Sequence, residues 1–541
     1  MSTERSPLIP KAQQGPSRLD FVLLMTGIWS LVFIASLDGT IVATLISTIG
    51  SSLESMQLSS WIGTAYLLSL CTFTPLYGRL ANILGRRPSI LFAGALFGVA
   101  TVLCGFAGSM TQLIALRALA GAGSSGMTVV GSVVMSDSVP LKSRGLYQGF
   151  ANLLFGLGAA IGGPLGGWLG DTIGWRAAFV CQAPFLVLAL FLLYLKVGEP
   201  ESSNATADTS IYTKLKRIDY AGSITLISAL LTFLIGLNLK STAGYNWRDF
   251  HVWGLLVTSL VLFCLFVWIE LRYASEPILP FTMIRRRTPG FVALNNFLVS
   301  ILIFSTLYNV PLYWTAARLR SSTNAGSHLI PYSVCVSIGS LFAGWYMRKT
   351  GRYWKLQALS GLCMVVPTVI MVTWSARTPE WVFYATVMPT GFGYAAMLTT
   401  TLLALIASVS RDDIPLATGI SYLFRTSGQS LGVSLSAALT QTLLARNLRA
   451  RFKGEDADDT IRKILASTAY IQTLSEDDQD KATTSWALAL RALFYCQIVL
   501  SVLVFLSLLP IEEYSLPDTV AGTPVRQTRP GERGAEVDRE E

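Results

Sequence analysis

Residues 77–88 read YGRLANILGRRP and interrupt two long apolar runs. An arginine in hydrocarbon is expensive, whereas short cytosolic loops between membrane spans collect Lys and Arg. Three arginines and two glycines therefore mark a turn between two spans on the cytosolic side. The central polar residue is Asn82, although a carboxylate would be the better neighbour for Arg86 and Arg87.

The rest of the composition agrees with a membrane protein. The 541 residues are 52% hydrophobic and only 13% charged, where an average soluble domain carries about 25%. Runs such as FVLLMTGIWSLVFIASL and QIVLSVLVFLSLLP approach the ~20 residues that cross a bilayer. The net charge of +9 lies in short loops, which argues against a nucleic-acid partner. Seven cysteines form no CxxC or Cys/His cluster, so neither a disulfide framework nor a metal site is expected. His251 and His328 fall near loops and offer no nucleophile–base–acid trio, and no P-loop is present. An enzyme and an ATP-driven pump are both disfavoured, and no cofactor is expected beyond a proton gradient as driving force.

Fourteen spans are read near 20–45, 59–81, 89–108, 111–134, 146–169, 176–196, 219–239, 252–270, 291–313, 325–347, 354–374, 381–409, 415–444 and 487–509. The loops on the side of residues 82–88 hold about three times as many Lys and Arg as those opposite, which puts both termini in the cytosol. The first apolar run is too long for a cleavable signal and reads as the first span. The chain then divides into a cytosolic tail (1–19), a six-helix bundle (20–196), a linker with two extra spans (197–270), a second six-helix bundle (271–509) and a cytosolic tail (510–541). Within the second bundle, 445–486 reads as a long lumenal loop, part of it either an amphipathic surface helix or solvated chain. The tail from Ile511 onward, polar with Pro and Gly, reads as disordered.

An internal repeat supports two equivalent bundles. GRLANILGR (78–86) and GWYMRKTGR (344–352) share G-x6-G-R, and SDSVPLKSRG (136–145) is echoed by RDDIPLATG (411–419). Duplicated halves with equivalent loops are a mark of secondary transporters.

These stretches carry a family resemblance. GRLANILGRRP resembles the loop that major facilitator transporters place between their second and third spans. LDGTIVATLISTIG (37–50) and LRALAGAGSSG (116–126) are similar to first- and fourth-span motifs of the fourteen-span drug:H+ antiporter branch. SDSVPLKSRGLYQG (136–149), GLGAAIGGPLGG (156–167) and IGWRAAFVCQAP (173–184) follow in family order. The resemblance covers residues 20–510. It implies an all-α membrane protein with the major facilitator fold, two six-helix bundles plus two extra central helices, working by alternating access.

The resemblance also implies roles. Gly78, Asn82, Gly85, Arg86, Arg87, Asp137 and Arg144 belong to the cytosolic gate and loop motif, whose arginines would meet acidic groups of the opposite bundle. The family usually has Asp where this chain has Asn82, so the latch is expected to be weaker unless Asp137 compensates; alternatively Asn82 is neutral variation. Gly158, Gly162, Gly163, Pro164, Gly166 and Gly167 match the antiporter glycine motif, and glycines every four residues permit close helix packing.

Asp38 lies inside the first span, where a charge is costly and usually functional. By helical rise it lies roughly 10 Å from the far end of its span, the same depth as Arg117 in the fourth. Burial disfavours a charged carboxylate and a guanidinium favours it, so the pair is either a proton relay or a static ion pair. The Arg117 position is the family's proton-coupling arginine, but Ala120 stands where Gln is frequent. The second bundle contributes Asn296, Tyr308, Asn309 and Arg425 as candidate substrate or proton-coupling groups, with Asn295 and Gln429 nearby.

An ion channel and a binding-only receptor are the other classes, and the Asp/Arg pair disfavours both. Within the branch the block 136–184 most resembles the fungal vacuolar basic amino acid transporters. Glu4, Leu8 and Ile9 form an acidic dileucine-type address for a sorting adaptor. The expected protein is a monomeric H+ antiporter in the vacuolar membrane, loading lysine, histidine or arginine. The rival is a multidrug or toxin efflux pump of the plasma membrane.

Overall fold

The computed structural model describes residues 18–55, 58–198, 217, 219–241, 249–274, 277–319, 329–375, 377–453, 457–466 and 469–517. The dileucine-type residues Glu4, Leu8 and Ile9 lie outside them. The first bundle comprises α1 (Arg18–Ser52), α2 (Ser60–Ile83), α3 (Arg86–Cys104), α4 (Met110–Ser138), α5 (Leu141–Thr172), and one span broken into α6 (Trp175–Val180) and α7 (Ala183–Lys196). The extra pair is α8 (Tyr220–Ser241) and α9 (Phe250–Arg272). The second bundle comprises α10 (Arg287–Leu312), α11 (Ile330–Thr350), α12 (Trp354–Val372), α13 (Glu380–Ala407), α14 (Ile414–Arg451) and α16 (Glu476–Leu508), with the short α15 (Ala457–Ala466) before α16.

Twelve of these segments are long and apolar enough to cross a membrane on length and composition alone. The two long helices outside that set, α2 and α14, are richer in polar residues, and they pack on one another across the seam between the bundles. With them, the described helices are compatible with fourteen spans. The extra pair packs mainly on itself, and α8 also touches α2 and α14 at the same seam.

The repeated motifs meet crosswise. A Cβ on Gly78 would lie 2.8 Å from the Pro415 carbonyl oxygen and 3.1 Å from the Gly419 Cα. A Cβ on Gly344 would lie 2.4 Å from the Leu146 nitrogen, and Gly145 faces the Gly344 Cα at 3.1 Å. Thus the first glycine of each G-x6-G-R stretch docks its backbone on the P-L…G stretch of the opposite bundle. The second glycine of each repeat, Gly85 (φ 100°) and Gly351 (φ 68°), turns the chain at positive φ, which side chains resist. All four contacts lie at the end that carries residues 84–85, called here the loop end. Further along α5 the seam loosens: Gly156 faces only the Ser337 hydroxyl, at 3.5 Å. The bundles are closed at the loop end.

Two expectations need correction. The segment 445–486 is not one loop, because α14 runs on to Arg451 and α16 begins at Glu476. Ser475 caps α16, accepting from the Asp478 amide, and Glu476, Asp477 and Asp478 fill its first turn, which favours helix outside lipid. Between them α15 is amphipathic, burying Ile461 and Ile464, so the helix reading of that segment holds. The tail is not disordered from Ile511. Residues 511–517 lie across the loop end, with Ile511 and Leu516 in the core of the second bundle. Chain polarity hid this, because the segment is held by distant groups rather than by its own periodicity.

Candidate functional site

The first cluster is built on α1. Gly158, Gly162 and Gly166 of α5 press against the α1 backbone, with Cβ positions 2.6 Å from the Phe33 oxygen, 2.7 Å from the Leu37 oxygen and 3.0 Å from the Ile41 Cα. Gly163 and Gly167 are not on that face, with only Thr44 atoms at 3.7 and 3.9 Å, and Pro164 is exposed. Three glycines therefore fix the stretch of α1 that carries Asp38.

Asp38 is fully buried, and its Oδ2 accepts from the Arg117 Nη1 at 2.8 Å. The Gln182 amide donates to Asp38 Oδ1 at 3.4 Å from the break between α6 and α7. On the other side Arg117 lies 4.4 Å over the Tyr66 ring, whose hydroxyl donates to Ser124 at 2.7 Å. Gly121 permits that approach, since a Cβ there would fall 2.2 Å from the Tyr66 carbonyl oxygen.

The loop motif is held by charged and aromatic partners. Arg86 Nε donates to Asp137 Oδ2 at 3.0 Å, while the Asn82 Oδ1 receives Arg86 Nη1 at only 3.5 Å. Arg87 stacks 4.3 Å over Tyr194. These contacts lie within the first bundle, on α3, α4 and α7. Close backbone contact at Gly78 and Gly344 joins the bundles at this end. Asp137 supplies Arg86 with a carboxylate where position 82 has none.

A second cluster spans the seam. Arg144 is wholly buried and donates to Ser132, Ser136 and Gln148. Gln148 donates to Asn152 at 3.2 Å, and Asn152 donates to Ser340 at 2.7 Å, which meets Thr399 at 3.0 Å. The chain of bonds runs from the first bundle into the second. Beside it lies a cavity lined by Gln148, Asn152, Asn296, Thr399, Ser421, Tyr422 and Arg425, among others. Asn296 is held there by donation to Ser421 at 2.7 Å, and Arg425 lies 5.7 Å from the Tyr422 ring.

The comparisons with known proteins bear on this arrangement. A family model described as Major Facilitator Superfamily matches residues 28–433. The chain belongs to the major facilitator superfamily. It is 36% identical to "Multidrug resistance protein fnx1" of Schizosaccharomyces pombe, over 92% of this chain and 93% of that protein. It is 30% identical to "Vacuolar basic amino acid transporter 2" of Saccharomyces cerevisiae, over 86% of this chain and 100% of that protein. Among solved structures, the human organic anion transporter MFSD10 aligns with TM-score 0.57 and 15% identity, covering 92% of this chain and 100% of that one, a likeness of fold alone. This superfamily member is a multi-pass membrane transporter and not an enzyme.

Of the residues singled out in the sequence of this facilitator, the structure joins Asp38 to Arg117, Arg86 to Asp137, and Asn296 to the Arg425 cavity. It separates Tyr308 and Asn309 from that cavity, because they lie roughly 18–20 Å further along α10. Tyr308 is 41% exposed, and Asn309 is buried, bonded to Ser305 and Thr440 within its own bundle. Asn295 clamps α16 through Val504 and Ser507. Gln182, Gln148 and Asn152 were missed. The last two follow Arg144 at four-residue intervals, a polar stripe on one helical face that the glycine pattern overshadowed.

Asp137→Asn should remove the carboxylate that Arg86 Nε meets and lower transport by about threefold to tenfold, since a charge-assisted bond contributes about 1.5–3 kcal/mol when fully formed and Asp137 is partly exposed. Adding Asn82→Asp should restore at least half of the lost rate. A double variant no faster than Asp137→Asn would mean that position 82 cannot replace that carboxylate.

Proposed function

We propose that the protein is a proton-coupled antiporter that moves basic amino acids from cytosol to vacuole by alternating access. The observation that carries this reading is Asp38. Among the described residues it is the one acidic side chain with no solvent exposure, and it is held by a guanidinium and an amide near the far end of the first bundle. A carboxylate so placed is held by groups from two other elements, so movement of α4 or of the α6–α7 break changes its partners. The loop end is then cytosolic, and its closure corresponds to the lumen-facing half of the cycle. A proton entering from the acidic lumen would neutralise Asp38, release Arg117, and accompany return of the empty bundles. The name of the Saccharomyces cerevisiae relative supports the substrate class.

The name of the Schizosaccharomyces pombe relative favours a second reading, efflux of drugs or toxins by H+ antiport at the plasma membrane. The test is uptake of labelled lysine into vacuolar vesicles energised with ATP. Uptake that falls to background with a protonophore, and in vesicles from a deletion strain, is the expected result. A tagged protein at the plasma membrane, with drug sensitivity on deletion and unchanged lysine uptake, would select the second reading.

A further inference from the structure

The geometry points to a carboxylate seat in the cavity between the bundles, with Arg425 as its charged partner. Arg117 and Arg86 have carboxylate partners, Asp38 and Asp137. Arg425 has none among the described residues, and the groups that surround it are the phenols of Tyr332, Tyr394 and Tyr422. Arg144 donates only to serines, a carbonyl and the Gln148 amide. Gln148 lines the same cavity, so its two sides bring one guanidinium directly and a second through one amide.

Among the described residues no Asp or Glu lines the cavity; its polar wall is Gln148, Asn152, Asn296, Thr399 and Ser421. A guanidinium in a low-dielectric interior without an anion is costly, and the cost is recovered when a planar anion arrives. The neutral amides and hydroxyls supply additional donors and orient it. By helical rise, Arg425 lies roughly 16 Å from the start of α14 and Asn296 roughly 14 Å from the start of α10, close to mid-membrane. Because Gln148, Asn152 and Ser340 bridge the bundles there, a bound carboxylate touches both halves that must move. This deepens the amino-acid reading, in which the anion is the α-carboxylate. The seat itself requires only an anionic end.

The experiment compares lysine with cadaverine and lysinamide, which keep the cationic chain and lack the carboxylate. In energised vesicles, excess cadaverine or lysinamide should leave labelled lysine uptake within about twofold of control, while unlabelled lysine abolishes it. Arg425→Gln should raise the KM for lysine at least tenfold, and Arg425→Lys should recover part of the loss. Equal competition by cadaverine and lysine, or an unchanged KM in Arg425→Gln, would overturn the seat. Should wild-type vesicles take up no lysine, the amino-acid reading fails, and the seat is read from thermal stabilisation of the purified full chain. Stabilisation by acetate, succinate or glutamate but not their amides, lost in Arg425→Gln, supports it; no carboxylate-specific stabilisation overturns it.

Discussion

Asp38→Asn is expected to abolish protonophore-sensitive uptake, by at least a hundredfold, while the protein still reaches the membrane. Asparagine keeps the size of the side chain and its contact with Gln182, but it cannot take up and release a proton near neutral pH. It also leaves Arg117 buried without its counter-ion, and breaking one side of a buried pair commonly costs about 3–5 kcal/mol. Loss of uptake alone would therefore not separate chemistry from folding. Combining Asp38→Asn with Arg117→Gln removes both charges, and its thermal stability should return close to wild type. Proton-coupled uptake should remain absent. Protonophore-sensitive uptake in either variant would show that Asp38 is not the carrier.

The parts legible in the sequence are those that lipid or backbone geometry dictates. Spans could be located because a helix must satisfy its own backbone groups across a fixed apolar thickness. Asp38, Arg117 and Arg425 stood out because a charge in such a segment needs a reason. Residues 78–86 and 344–352 were visible as a repeat, but their docking on residues 136–145 and 411–419 was not. Nothing in a single strand of sequence says that Gly78 faces Gly419 or that Gly145 faces Gly344. The partners of Arg86 and Arg87 were hidden for a related reason. Charge complementarity names candidate partners without ranking them, and it does not name a ring: Asp137 and the Tyr194 face, both in the first bundle, are among the groups these arginines meet. Tyr308 and Asn309 were grouped with Asn296 by residue type, although helical rise already separates them.

The tail segment 511–517 gives the second large effect. Glu513 Oε1 accepts from the amides of Tyr353 and Trp354 at 3.1 and 3.2 Å, placing a carboxylate on the free N-terminus of α12. Tyr353 donates its hydroxyl to the Glu512 carbonyl and receives the Tyr514 amide. These bonds anchor the segment to the second bundle. At its other end the Pro517 carbonyl receives the Lys142 amide at 3.3 Å, at the start of α5 in the first bundle. The segment therefore spans the seam beside Gly145 and Gly344, where the halves must part if the loop end opens. In a background without native cysteines, Lys142→Cys with Pro517→Cys should form a disulfide on oxidation, since a backbone bond brings the two residues within bridging reach. Oxidation should lower uptake at least tenfold, and a reductant should restore it. Each single cysteine variant should be indifferent to oxidant. Glu513→Ala should have the opposite effect on the gate, exposing a Met347→Cys probe to a cytosolic thiol reagent, because Met347 is buried against Gly145 when the loop end is closed. Full transport by the completely crosslinked protein would mean that Pro517 travels with α5 through the cycle and that the tail does not hold the gate.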